Sequence, residues 1–252
     1  MKDLSAQLTR QSDLIPEKVL RVPIAIVGCG AIGSWTTLLL AKMGLQNLIV
    51  FDYDDVEIEN INSQFFSMAD IGHPKIVALT RKIYEFTTIP ITGYDEKFDF
   101  IPNDVKIVIS AVDSMMSRQE IYKICKESKR SLFLIDPRMA IETALVYTCD
   151  LKNKKQRENY ENSLYNDGQA VQERCTAKST AYTANLIAGQ ITKIVKDYIT
   201  NSPYIKTLQW DIAKNIMLSF PSEVREVASE VKEIPNEQTR PLVAVLQEED
   251  TP

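Results

Sequence analysis

The sequence predicts an α/β protein with a Rossmann-like, doubly wound and mainly parallel sheet, extended by antiparallel strands toward its C-terminal end. Three observations carry that expectation. Short β-branched runs such as "IAIVG" and "VKIVISAVD" alternate with segments of helical spacing, as βαβ units require. A glycine-rich turn, "GCGAIG", joins the first run to the first long helix. After Ala140 the pattern changes to the alternation of half-buried strands in "ETALVYTCDL".

Each element follows in order. Residues 1–21 are polar and amphipathic and form an N-terminal helix or arm. "IAIVG" is a buried parallel strand, and "AIGSWTTLLLAKMG" a helix closed by Gly44. "NLIVFD" is the second strand, and "KIVALTRKIYEFT" a helix with Ile76, Leu79, Ile83 and Phe86 on one face. "ITGYDEKF" and "VKIVISAVD" are the third and fourth strands, the latter ending in a carboxylate. "SRQEIYKICKES" is a helix and "SLFLIDPRM" another buried strand. The charged segment "KNKKQRENYENSLYNDGQAVQERC" has few core formers and reads as a surface loop or broken helix. "TAYTANLIAGQITKIVKDYI" is a long helix and "IKTLQWDIAKNIMLSF" a hairpin. The organisation is therefore an arm (1–21), one α/β domain (22–220) with a crossover segment around 151–180, and an acidic tail (221–252).

Composition removes several classes of function. Of 252 residues, 44% are hydrophobic and 25% charged, as in an ordinary globular protein, and the net charge of -5 gives no pull toward nucleic acid or an anionic membrane. No apolar run approaches the ~20 residues of a membrane span, and "MKDLSAQLTRQSDLIPEKVL" has no secretory core. A cytoplasmic location is expected. Cys29, Cys125, Cys149 and Cys175 form no C-x-x-C pair, and His73 is the sole histidine, so neither a structural zinc nor a disulfide framework is expected.

In the turn, Gly28, Gly30 and Gly33 occupy the three positions of G-x-G-x-x-G. The first permits a tight turn, the second lets backbone approach phosphate, and the third lets helix and strand pack closely. The helix start offers free N–H groups and the positive end of a dipole to an anion. Asp52 ends the second strand at the offset of a carboxylate that accepts from ribose hydroxyls. These residues do not separate NAD, FAD, S-adenosylmethionine and ATP, nor any of them from a tight turn that binds nothing.

The residues after Asp52 break the tie. "FDYDDVEIENINSQFF…IGHPKI" resembles the ThiF/MoeB/HesA superfamily, which includes ubiquitin-activating enzymes, over roughly residues 10–199. The match is to a D-x-D element, N-x-x-R-Q, G-x-x-K and a later strand-end aspartate, in that order. The resemblance implies ATP- and Mg²⁺-dependent adenylation of a C-terminal carboxylate on a small ubiquitin-like or sulfur-carrier protein, with a conjugating or sulfur-transfer partner downstream. It gives Asp52 to the ribose, Asp54 to the second acid, Asn60 and Gln64 to the phosphate region, and Lys75 to the ATP phosphates. It gives Asp113 to magnesium and adenylation, and Arg118 to a basic role one helical turn further on. Arg10 and Gln11, in "LTRQSDL", are similar to an "RQ" whose arginine reaches into the partner subunit's ATP site, so a homodimer is implied. Taken singly, Lys75 is a solvated lysine, Asp113 a helix cap and Arg10 a surface residue; their order along one chain carries the resemblance. The residue types suit the chemistry: a carboxylate attacking the α-phosphorus needs positioning and cations rather than a general base.

One position departs. "NINSQ" has Ser63 where the family has arginine, and serine replaces neither the charge nor the bidentate donors. Lys178, Arg138 and Lys42 are the candidates to compensate, or the chain is a non-catalytic member. Cys175, in "ERCTAKS", lies before the long helix with Arg174 and Lys178 nearby, a setting that favours a thiolate. It resembles the cysteine that takes the activated carboxyl as a thioester in compact members. Adenylation of a peptide or a modified-tRNA carboxylate, and an NAD-dependent oxidoreductase, remain the competing expectations; an acidic chain is poorly matched to tRNA.

Overall fold

The computed structural model describes residues 4–165 and 179–222. Among them is one eight-stranded sheet in the order β3-β2-β1-β4-β5-β6-β7-β8. Strands β1 (Ile24–Val27), β2 (Leu48–Asp52), β3 (Thr92–Asp95), β4 (Ile107–Ser110) and β5 (Phe133–Ala140) run parallel. Strands β6 (Thr143–Asp150), β7 (Ile205–Asp211) and β8 (Ile216–Pro221) continue it antiparallel. The change of pattern after Ala140 is thus the change of strand direction. β1 and β4 are buried along their whole length, because helices cover both faces of the parallel half. Burying each Ile or Val there contributes about 1.5–3 kcal/mol.

The helices follow the same logic. α2 (Ala31–Lys42) is apolar or small nearly all round because it sits between the sheet and α6 (Ala181–Ile199). Of its small polar residues, Thr37 donates to the Gly33 carbonyl at 2.8 Å and the Ser34 hydroxyl oxygen accepts from the Phe65 N–H at 2.9 Å, while Thr36 Oγ1 is buried without a partner among the described residues. α4 (Met115–Glu127) and α6 start at Ser114 and Thr180, each accepting from a backbone N–H three residues on. In α3 (Lys75–Thr87), Ile76, Leu79 and Ile83 are buried as the spacing predicts, but Phe86 is 56% exposed. It lies in the last turn, where the covered face has run out, and rests edge-on against Phe65. The arm comprises α1 (Leu4–Leu8) and 3₁₀ turns at Thr9–Gln11 and Glu17–Val19. The charged segment after β6 opens as α5 (Lys154–Glu161). Cys175, Lys178, Arg174 and the acidic tail beyond Ser222 lie outside the described residues.

The turn leading into α3 is held by one buried carboxylate. Asp70 accepts from the Ser67 N–H at 2.6 Å, the Ser67 hydroxyl at 2.7 Å, Lys82 at 3.0 Å, and Arg81. Burial pushes its carboxyl up, but the Ser67 donors and Lys82 outweigh that and hold it below the ordinary value. The folded form therefore binds its proton less readily than the unfolded chain. That stability is fully present above the unfolded carboxylate value and is lost as pH falls through the folded one. Asp70→Asn is expected to cost about 2 kcal/mol at neutral pH in urea unfolding, with the gap to wild type closing on acidification.

Candidate functional site

The strand order reverses between β1 and β4, and their C-terminal ends open a crevice of the kind that holds ligands in open α/β sheets. The glycine turn forms one wall. Gly28 has φ +91°, and a β-carbon there would lie 2.7 Å from the Ala111 carbonyl oxygen of the facing loop. A β-carbon on Gly33 would lie 1.8 Å from the Gly28 oxygen, so α2 can seat on β1 only through a glycine. Gly30 is different. It starts α2 with no side-chain cap, and a β-carbon would meet nothing nearer than Gln64 Nε2 at 4.0 Å. The first N–H groups of α2 thus face open space, the arrangement that accepts phosphate.

Asp52 ties this turn to β2. Its carboxylate accepts from the Cys29 N–H at 2.6 Å and from the Asp54 N–H at 2.9 Å. Burial pushes its carboxyl above the usual value, against Lys75 and those two donors. Two of its acceptor sites are thus committed to the protein, and the remaining lone pairs are what a ribose would use. Burial, reinforced by Asp52, also pushes the Cys29 thiol well above its ordinary value, so it is no nucleophile at neutral pH.

Lys75 reaches the crevice from the first turn of α3. Its N–H donates to the Asp54 carbonyl at 2.9 Å, and its ammonium to Asp54 Oδ2 at 2.7 Å. It is 7% exposed and stands at the positive end of a helix dipole, two unfavourable settings for a lysine. Burial works against its charge, but Asp54 and Asp52 outweigh it and raise the ammonium above the usual range. The solvated-lysine reading is therefore wrong.

Asn60 and Gln64 lie on a segment that crosses α2. Asn60 Oδ1 accepts from the Glu57 N–H at 3.0 Å, and the Asn60 carbonyl accepts from the Gln64 N–H at 2.9 Å. Gln64 Oε1 is buried without a hydrogen-bond partner among the described residues. Ser63 is buried; its carbonyl takes the Trp35 indole N–H at 2.9 Å and its hydroxyl that of Ser179 at 2.9 Å. The place of the family arginine is thus closed by a hydroxyl pair. Neither Arg138 nor Lys42 stands in for it. Lys42 is at the other end of α2, over the Phe86 ring. Arg138 is committed to Asp136, with Nε at 3.0 Å and Nη2 at 2.8 Å.

Asp113 is exposed, and no described residue donates to its carboxylate. Ser114, not Asp113, caps α4. Beneath it lies a network that motif reading missed. Arg118 is 6% exposed and donates to Asp136, to the carbonyls of Ser110 (3.1 Å) and Pro137 (2.9 Å), and to that of Val112. Tyr160 donates to Asp136 at 3.0 Å. Arg118 therefore pins the loop carrying Asp113 instead of projecting a free cation. The signal available was the "DPR" of "SLFLIDPRM", two charges two residues apart, hence on one face of a buried strand.

The structure brings together Gly28, Gly30, Gly33, Asp52, Asp54, Gln64, Lys75 and the Asp113 loop, with Asn60 on the segment that carries Gln64. Arg10 is not among them. It is exposed in the arm, whose Gln11 amide donates to the Met43 carbonyl at 2.6 Å. Met43 closes the far end of the 12-residue α2, roughly 18 Å from the glycine turn. The other described thiols, Cys125 and Cys149, are pushed up to about 12 by burial and are inert cores. No cluster of three or more metal-binding side chains occurs among the described residues, and none of their helices is long and apolar enough to cross a membrane.

The chain is 33% identical over 131 residues to the ubiquitin-like modifier-activating enzyme 5 of Drosophila persimilis, covering 44% of this chain and 34% of that one. The Gallus gallus protein of the same name is 30% identical over 129 residues, at 44% and 32% coverage. The chain thus spans about a third of the length of these curated relatives. Among solved structures, PaaA superposes with a TM-score of 0.68 at 19% identity, covering 89% of this chain and 74% of its own. Escherichia coli MccB, solved with AMPCPP and MccA, gives 0.67 at 18% identity, with 88% and 73% covered. These structural likenesses establish a shared fold. The sequence profile of the ThiF family matches residues 4–230, and the chain belongs to the ThiF family.

Proposed function

We propose that this protein binds ATP in the β1/β4 crevice and adenylates a C-terminal carboxylate of a small ubiquitin-like or sulfur-carrier-like protein. The observation that carries the reading is the pairing of an uncapped α2 start, open at Gly30, with a buried, charged Lys75 held by Asp54. Family membership and the partial matches to ubiquitin-like modifier-activating enzymes support it. Among the described residues no acid–base pair beside the glycine turn carries an oxidoreductase reading; the single histidine lies in the turn before Lys75, its carbonyl accepting from the Val56 N–H.

In this reading the α2 N–H groups and Lys75 hold the phosphates, Asp52 receives the ribose and Gln64 closes the phosphate region. An acceptor carboxylate oxygen attacks the α-phosphorus; the new P–O bond forms as the bond to pyrophosphate breaks. Magnesium, when bound, would neutralise charge on the phosphates, and the exposed Asp113 carboxylate would help to hold it. Asp52, Asp54 and Asp113 outweigh Lys75 among the described site residues, so further positive charge is required. Arg10 of a second subunit supplies it, since the arm lies too far from its own crevice. Arg118 and Asp136 act as positioning residues for the Asp113 loop. Cys175 then attacks the acyl-adenylate as thiolate, forming a thioester and releasing AMP. The protein works as a homodimer in the cytoplasm, with the arm and the acidic tail flanking one adenylation domain.

ATP–pyrophosphate exchange with a ubiquitin-like protein ending in Gly-Gly tests the assignment. Lys75→Ala and Asp113→Ala are each expected to lower exchange about 100-fold; unchanged exchange in both would refute the site. The same assay with a short peptide acceptor separates peptide from protein substrates.

The glycines make a sharper pair. Gly30→Ala should leave the melting temperature nearly unchanged while weakening ATP binding at least about tenfold, whereas Gly33→Ala should cost more than ~3 kcal/mol of stability. Equal effects on folding would contradict the distinct geometries of the two positions.

Arg10 is tested by mixing. Arg10→Ala and Lys75→Ala are expected to be inactive separately and to recover roughly a quarter of wild-type activity when re-assembled together, since one site per mixed dimer is intact. No recovery would place Arg10 in its own subunit's site or outside catalysis.

A further inference from the structure

A second charged feature lies at the opposite end of the parallel strands, where β4 and β5 begin and β6 ends. Lys126, Lys129, Arg130, Lys152 and Arg157 surround a cavity of about 360 Å³ whose apolar lining is Cys125 and Leu151. It is built where α4 ends and β6 runs out, away from the β1/β4 crevice. Two of the cations are fixed by backbone: Arg130 donates to the carbonyls of Pro102 (3.0 Å) and Val105 (3.2 Å), and Arg157 to that of Leu151 (2.5 Å). Of the described carboxylates nearby, Glu161 pairs with Lys126 at 2.7 Å, and Asp150 is turned to the Lys152 N–H at 3.0 Å. Lys129 and Lys152 are exposed and carry no salt bridge with any described residue. With Lys126 already paired to Glu161, the four remaining cations around the cavity repel one another and call for an anionic occupant.

The chain supplies one at the right place. Ser222 is locked to Tyr204, its N–H donating to the Tyr204 carbonyl at 2.6 Å and its hydroxyl oxygen accepting from the Tyr204 N–H at 3.0 Å. The Tyr204 hydroxyl in turn accepts from Gln156 at 3.3 Å, beside Arg157. β8 ends at the same end of the sheet as β6 and the cavity, and lies two strand spacings, about 10 Å, from β6. The following sequence is "EVREVASEVKEIPNE". Glu223, Glu226, Glu230 and Glu233 recur at helical spacing on one face, and Val224, Val227, Val231 and Ile234 on the adjoining one. At about 3.3 Å per extended residue, or about 1.5 Å if helical, these glutamates come within reach of the cavity.

We infer that residues 223–234 dock intramolecularly on this basic cavity, their glutamate row against Lys129, Lys152, Arg130 and Arg157. Tethering makes even a weak charge match effective, because the linked segment is present at a local concentration of the order of millimolar.

Hydrogen exchange of the full 252-residue chain tests it. At about 20 mM salt, amides of 223–234 should exchange about tenfold slower in wild type than in K129E/K152E, and about 0.5 M salt should abolish the difference. Exchange in β1 and α6, measured in the same experiment, reports that the variant is folded. Adding E226K/E230K to K129E/K152E should restore protection by reversing both charges. Equal exchange in wild type and K129E/K152E, failure of the charge swap, or protection that falls on dilution would each overturn intramolecular docking.

Discussion

The carbonyl of Gly28 occupies the space where residue 33 would carry a β-carbon, and much of the architecture follows from that contact. It lets α2 descend onto β1, which places α2 between the sheet and α6 and buries eight of its twelve residues. It also aims the start of α2 at the gap between β1 and β4. Asp52 completes the arrangement from β2 through the Cys29 and Asp54 N–H groups. A turn this tight cannot relax around a larger side chain, because its nearest neighbours are backbone atoms of Gly28, Ala111 and Val112 in the turns that follow β1 and β4.

Around this rigid floor the charged groups fall into two kinds. Some are consumed by the fold: Asp136 collects Arg118, Arg138 and Tyr160 and fixes the loop above them, and Asp70 fixes the turn before α3. Others are left facing the crevice, namely Asp113, Asp54 with Lys75, and the unpartnered Gln64 oxygen. A buried lysine at a helix start costs stability that packing alone does not repay, which is the reason to read it as part of a binding site. The imbalance of carboxylates over cations in the described site makes a metal and a second subunit's arginine part of the same proposal.

The parallel half of the sheet was legible because buried β-branched runs alternating with helical segments, and one glycine turn, leave few alternatives; its strand order was not. The antiparallel half was legible in "ETALVYTCDL", where alternation reports one covered face at a time. Phe86 was misread because periodicity says which face a residue is on, not where the covering element stops. Arg118 was assigned a free charge by motif order, but only the structure shows Asp136 beneath it, contributed by a strand 18 residues further along. Likewise the Ser63–Ser179 pair joins residues 116 apart, beyond any local spacing rule. Lys75, by contrast, was correctly placed at a helix start, and its burial and ion pair were the features that spacing could not supply.

The central claim is that the start of α2 holds a phosphate chain. Amide hydrogen exchange across residues 29–34, followed on addition of ATP or of adenosine, tests this most directly. The account predicts that ATP with magnesium slows these amides and that adenosine, which carries no phosphate, does not. Protection by adenosine equal to that by ATP, or protection by NAD but not by ATP, would contradict it.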